Sequence, residues 1–171
     1  MKMKYIAAIA AFSATFFLSV LLIGFPKTNF LSRHQCNIKV RHTVTSLLEQ
    51  DIAFGDKREA EAYFLYQKIG SAELTYTSNE YAEIVTEYVR KSESMDDSTL
   101  PSDFRLAWRS HMKAWREHME FLDAANGSFF TRNSEGEFFK VIELQTRQIN
   151  DSWRKVEVFG RKYGANNVRY N

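Results

Sequence analysis

The sequence is poor in residues that interrupt or cross-link a chain. Its 171 residues include only two prolines, seven glycines and one cysteine, Cys36. So few turn-forming residues argue against disorder and against a β fold with many turns. A lone cysteine excludes an intramolecular disulfide bond. In an oxidising compartment Cys36 is either buried or bridges two chains, and its position on the apolar face of a predicted helix favours burial.

Local motifs for catalysis or cofactor binding are also lacking. The sequence contains no Gly-rich phosphate-binding loop, no Gly-x-Ser-x-Gly nucleophile turn and no Cys-x-x-Cys pair. Carboxylates are numerous, but acidic side chains on amphipathic helices usually face solvent. We therefore expect a protein that is not an enzyme and that carries no cofactor.

Net charge is small as well. The formal net charge is +2, and Lys2, Lys4 and Lys27 flank an N-terminal apolar segment. The remainder of the chain carries nearly equal numbers of basic and acidic residues. Because no basic surface is indicated, we expect no general affinity for nucleic acids.

One long apolar run is present, at residues 5–25. It contains no charged residue and, as a helix, would be about 31 Å long, enough to cross the hydrocarbon core of a bilayer. The run ends in Leu-Leu-Ile-Gly-Phe before Pro26, with no Ala-x-Ala cleavage site nearby, so an uncleaved signal anchor is favoured over a cleaved signal peptide. We predict a transmembrane signal anchor at residues 1–27, embedded in the lipid bilayer, and a separate helical domain at residues 28–171.

The basic residues around this segment give conflicting indications of its orientation. Lys2 and Lys4, in a short N-terminal tail, are typical of an export signal whose N-terminus stays in the cytoplasm. Lys27, Arg33 and the basic residues that follow favour the opposite topology, in which the domain would be a membrane-tethered cytoplasmic adaptor. We predict a cytoplasmic N-terminus and an extracytoplasmic C-terminal domain.

Small side chains recur every fourth residue within the predicted span. This stripe consists of Ala7, Ala11, Thr15 and Ser19. Small residues at this spacing allow two transmembrane helices to approach closely, although they are also common in anchors that have no partner. The stripe is therefore consistent with a homo-oligomer or with a membrane-protein partner.

Beyond the span, apolar residues recur at helical intervals of three and four. The pattern predicts helices at 32–54 and 57–69, the first stopped by Gly55 and the second by Gly70. Further helices are predicted at 79–91, at 103–125 and from 135 to Gly160 or Gly164. The predicted fold is all-α, with a single N-terminal transmembrane helix followed by an antiparallel bundle of about four helices.

A seven-residue repeat dominates the predicted helix at 103–125. The segment Trp-Arg-Ser-His-Met-Lys-Ala is followed at once by Trp-Arg-Glu-His-Met-Glu-Phe, so Trp, Arg, His and Met each recur after about two helical turns. On a helical projection the two tryptophans fall on one face with a phenylalanine and a leucine beside them. The predicted core aromatic seam consists of Phe104, Trp108, Trp115 and Leu122.

The repeated histidine–methionine pairs are the candidate metal or haem ligands. They are His111 with Met112 and His118 with Met119. The two histidines lie about 10 Å apart along the helix axis, too far to share one ion at bond lengths of about 2 Å. Packing explains the pairs better, with methionine in the core beside tryptophan and histidine at the edge of the core. We expect no bound metal.

Two functions follow from this pattern. The favoured one is a non-enzymatic, single-pass membrane protein whose helical domain packs against a partner or against a second copy. The alternative is an extracytoplasmic bundle that binds a metal, a haem or another small ligand between its helices. A ligand in the purified protein would distinguish the second function from the first.

Overall fold

The computed structural model describes residues 30–70, 78–126, 135–166 and 168, with the side chains of the first helix described from Ile38 onward. These residues form four helices: α1 (Phe30–Ile69), α2 (Asn79–Glu93), α3 (Ser102–Asn126) and α4 (Glu135–Lys162). No strand occurs among the residues that the structure describes. The all-α class and the helical-bundle architecture predicted from the sequence are confirmed.

Local sequence signals define several of the helix ends. Ser78 caps α2, and its hydroxyl oxygen accepts a hydrogen bond from the Tyr81 amide at 3.2 Å. Gly70 follows α1 and Gly164 follows α4, with φ angles of 76° and 85°. This left-handed backbone favours glycine, which has no Cβ, and it terminates both helices.

Gly55 does not interrupt α1, which runs unbroken for 40 residues. The predicted stop at Gly55 and the predicted new helix at Lys57 are therefore wrong. A glycine inside a helix lowers its stability by only about 1 kcal/mol relative to alanine. Buried leucines lie on both sides of Gly55, at Leu48 and Leu65. Their burial offsets the cost of the glycine, so one helix replaces the two that were predicted.

The core is built around α3. Close backbone approaches are concentrated between α3 and α4 and between α2 and α3. α1 also contributes to this core, and cavities lie beside it. The buried core includes Val44, Leu47 and Leu48 of α1, Val85 and Val89 of α2, Phe104, Trp108 and Leu122 of α3, and Phe138, Ile142 and Val156 of α4. The cavities lined by α1 leave room for a site.

Within residues 30–70, 78–126 and 135–166, no helix combines the length and the hydropathy needed to cross a bilayer. The predicted span at residues 5–25 lies outside the described residues, as does the side chain of Cys36. The small-residue stripe of that span, Ala7, Ala11, Thr15 and Ser19, lies outside them too.

Candidate functional site

The four residues of the core aromatic seam lie inside the bundle. Phe104, Trp108, Trp115 and Leu122 are all buried, and none exposes more than 8% of its surface. Trp115 also has polar neighbours. Its ring packs edge-on against Tyr88, with ring centroids 4.8 Å apart, and its indole N–H donates to His111. The apolar core therefore changes to a polar site at Trp115.

The prediction that His111 and His118 lie at the edge of the core is wrong, because each is only 3% exposed. α4 covers this side of α3 and supplies a polar partner to each ring. Ser152 lies beside His111, and Gln145 lies beside His118. Helical angles placed the histidines correctly beside the tryptophans, but only the packing of α4 buries them.

His111 is a neutral imidazole with both ring nitrogens occupied. Its Nε2 accepts a hydrogen bond from Trp115 Nε1 at 3.2 Å, and its Nδ1 lies 3.0 Å from the Ser152 hydroxyl oxygen. That hydroxyl donates to the carbonyl oxygen of Ile149 at 2.8 Å, so Nδ1–H must be the donor to Ser152. Burial lowers the pKa of His111 to about 4. The ring has no lone pair free to bind a metal.

His118 keeps one nitrogen open. Its Nδ1 lies 2.9 Å from the side-chain carbonyl oxygen of Gln145, an arrangement that requires Nδ1–H as donor. Burial lowers the pKa of His118, so its Nε2 carries a lone pair at neutral pH. No described residue donates to that Nε2, and His118 lines a cavity.

The methionines of the repeat belong to the core rather than to a ligand cluster. Met112 is buried, and Met119 is half-buried against the same apolar core. In the part of the chain that the structure describes, no group of three or more His, Cys, Asp or Glu side chains is placed to hold a metal ion.

A buried carboxylate that the sequence did not single out lies on the other side of Trp115. Asp51 of α1 is 2% exposed and accepts hydrogen bonds from the Ser92 hydroxyl at 2.6 Å and the Tyr88 hydroxyl at 3.0 Å. Burial raises the pKa of Asp51 to about 6, although both hydrogen bonds and the positive charge of Arg58 act in the opposite direction. Asp51 therefore changes its charge in the mildly acidic range.

Arg58 is a nearly buried cation in contact with aromatic rings. Its guanidinium carbon lies 4.2 Å from the ring centroid of Trp115 and 5.0 Å from that of Tyr88. The Arg58 side chain is 15% exposed, and its Nη2 donates to the Glu59 carboxylate at 3.0 Å. No other described residue accepts a hydrogen bond from the guanidinium. Most of its donors therefore remain open to a ligand.

Two cavities meet at Arg58. They have volumes of about 160 Å³ and about 420 Å³ and share the lining residues Arg58, Glu59, Trp115, Ile149 and Asn150. The smaller cavity adds Asp51, Ile52, Gly55, Asp56, Tyr88, His111 and Trp153. The larger cavity adds Ala62, Tyr63, Tyr66, Tyr81, His118 and Thr146. We call the two cavities together the Arg58 groove. Its described lining has aromatic walls and one cation, Arg58, which borders both cavities.

A further cleft, of about 540 Å³, lies beside α3 near the end of α2. Its cations already have acidic partners: Arg109 donates to Asp97 at 2.6 Å, Arg116 contacts Glu93, and Lys113 Nζ lies 3.5 Å from Glu117 Oε1. Because these cations are already paired, the cleft offers no open group comparable with Arg58. The Arg58 groove is the stronger candidate site.

Sequence reasoning missed Asp51 and Arg58 for one identifiable reason. They are seven residues apart and lie on the same side of one helix, but the predicted break at Gly55 assigned them to different helices. Asp51 follows Leu47 and Leu48 at the spacing of the apolar face. An acidic residue in that register was the signal that could have identified the site.

Comparison of the chain with models of known protein families, with curated proteins and with solved structures finds no match. The site must therefore be interpreted from its own chemistry.

Proposed function

We propose that the chain is a non-enzymatic, single-pass membrane protein whose helical domain binds a small ligand in the Arg58 groove. In this proposal residues 5–25 span the bilayer, and the antiparallel bundle that follows is extracytoplasmic. The observation that supports ligand binding is the pair of adjoining cavities beside α1. Their walls are aromatic, and the Arg58 guanidinium between them donates a hydrogen bond to only one described residue, Glu59. Small-ligand sites typically combine an apolar lining with a few polar groups of this kind.

Ligand binding can be tested by closing the groove with a side chain. Ala62 is half-buried and lines the larger cavity, so Ala62→Phe should place a ring where a ligand would lie. The probes are 4-fluorobenzoate and 4-fluorobenzamide, observed by fluorine NMR with the full chain in detergent and with protein-free micelles as baseline. We expect at least one probe to bind with a Kd below about 1 mM and to lose about tenfold in affinity in Ala62→Phe.

The matched control for this test is Ala60→Phe, because Ala60 is exposed on the same helix and lines neither cavity of the groove. This variant should bind both probes as the wild type does. Ligand binding in the groove is rejected if neither probe binds, or if the two variants affect binding equally.

Self-association is a second candidate function, supported by one feature of the surface of α1. Tyr63 and Phe64 are adjacent, 61% and 72% exposed, and their rings make an edge-to-face contact with centroids 6.4 Å apart. Exposed aromatic side chains that adjoin one another are typical of contact surfaces. Together with the small-residue stripe predicted in the span, this pair favours association with a second copy of the chain.

Sedimentation of the full chain in detergent tests self-association. We expect a dimer whose Kd rises by about tenfold in Phe64→Ser, because the variant removes an apolar contact at the interface. Leu106→Ser is the control, since Leu106 is also 72% exposed but lies on α3. A monomer at all concentrations, or equal weakening by both variants, would contradict the proposal.

A further inference from the structure

The unused hydrogen-bond donors of Arg58 favour an anionic ligand in the Arg58 groove. Arg58 uses Nη2 for Glu59, and its remaining donors face no acceptor among the described residues. A guanidinium presents its donors in a planar fork that matches the two oxygens of a carboxylate. A ligand carboxylate would therefore satisfy donors that the described residues leave unsatisfied.

The distribution of acidic residues indicates which of the two cavities would hold that carboxylate. Asp51 and Asp56 line only the smaller cavity, where they would repel an anion. Among the described residues that line the larger cavity, Glu59 is the one acidic residue, and its side chain is 68% exposed, so solvent screens its charge. A ligand carboxylate in the larger cavity would therefore reach Arg58 and meet less repulsion from acidic residues than in the smaller cavity.

The walls of the larger cavity indicate the rest of the ligand. Its lining includes the rings of Trp115, Tyr63, Tyr66 and Tyr81, and its volume of about 420 Å³ lies within the range of small-molecule sites. Aromatic side chains stack favourably on a planar ring. The open Nε2 of His118 offers an acceptor for a hydroxyl or amino group elsewhere on that ring.

We propose that the ligand of the groove is a small aromatic carboxylate, whose carboxylate pairs with Arg58 and whose ring lies among the aromatic residues of the larger cavity. This inference rests on the proposed ligand-binding function and specifies its substrate class. Asp51 is the counter-charge that accompanies Arg58 when no ligand is bound. Loss of its charge should make the guanidinium a better partner for a ligand anion.

The test compares 4-fluorobenzoate with 4-fluorobenzamide, two probes that differ in charge and have nearly the same shape. With the full-length wild type in detergent, the benzoate should bind about tenfold more tightly than the benzamide. In Arg58→Gln that preference should fall to about twofold or less, while the affinity for the benzamide stays unchanged. Arg109→Gln, which removes an exposed cation outside the groove, should keep the full preference.

Asp51→Asn supplies a second variant with an effect of opposite sign. It should tighten benzoate binding at pH 7 by about threefold to tenfold and leave benzamide binding unchanged. This readout does not depend on whether Arg58→Gln folds. Equal affinity of the wild type for the two probes would overturn the carboxylate inference while leaving ligand binding intact. So would weaker benzoate binding in Asp51→Asn. Failure of both probes to bind the wild type would instead reject the proposed function itself.

Discussion

Replacement of Trp115 by alanine is expected to lower the free energy of unfolding by about 3–5 kcal/mol. Trp115 is 8% exposed and packs between Tyr88 and the two buried histidines. Truncation leaves a cavity. It also removes the indole N–H that donates to His111 Nε2 and the ring on which Arg58 stacks. Against a total stability of roughly 5–15 kcal/mol for a domain of this size, the loss is large.

Urea denaturation of the wild type and the variant measures this effect as a shift of the unfolding midpoint. Leu106→Ala is the control, since Leu106 lies on the same helix and is 72% exposed. Its cost should stay within about 0.5 kcal/mol. A cost below about 1 kcal/mol for Trp115→Ala would mean that the indole borders open space rather than packed side chains, and the assignment of Trp115 to the core would be wrong.

The second large effect concerns pH. Wild-type stability is expected to fall less between pH 6.5 and pH 4.5 than the buried histidines alone would make it fall, because Asp51 titrates with the opposite consequence. The pKa of Asp51 rises on folding from 3.8 to about 6, so its ionised form disfavours the native state and stability is lost as pH rises through this range. The pKa of His111 falls from 6.5 to about 4, so stability is lost as pH falls through nearly the same range.

Asp51→Asn removes one of these opposing contributions. The variant should lose about 2–3 kcal/mol of stability between pH 6.5 and pH 4.5, with His118 acting in the same direction as His111 because burial lowers its pKa too. At pH 7 it should be more stable than the wild type, since a buried charge is gone. Urea titrations at several pH values measure both effects.

Asp123→Asn is the matched control for the pH experiment, because Asp123 is an exposed carboxylate on α3. Its stability should follow the wild-type dependence on pH. If Asp51→Asn also follows the wild-type curve, Asp51 does not titrate in the mildly acidic range, and its role as the counter-charge of Arg58 would need another explanation.

Sequence periodicity predicted the parts of the fold that depend on one helix at a time. The intervals between Phe104, Trp108 and Trp115 assign these residues to one face of α3, and that face lies in the core. The same intervals cannot show which neighbouring helix covers each flank. For that reason the burial of His111 and His118 under α4 was missed.

The candidate site could not be predicted because it depends on contacts between distant parts of the chain. A charged residue on an amphipathic helix is usually solvated, and apart from the register of Asp51 on the apolar face of α1, nothing local distinguishes Asp51 or Arg58 from the many charged residues that are solvated. Asp51 becomes unusual only when Tyr88 and Ser92 of α2 reach its carboxylate. Arg58 becomes unusual only when the ring of Trp115 from α3 lies under it.

The two halves of α1 bury different numbers of apolar side chains, and this difference should be visible in native-state hydrogen exchange. Before Gly55, α1 buries Val44, Leu47 and Leu48, whereas beyond Gly55 its one buried apolar side chain is Leu65. Amides of the second half should therefore exchange through a local opening that leaves α3 and α4 protected. Gly55, at the junction, has the weakest helical preference of any non-proline residue and can act as the pivot. The half of α1 beyond it forms a wall of the Arg58 groove, so its opening and closing would set how fast a ligand enters and leaves.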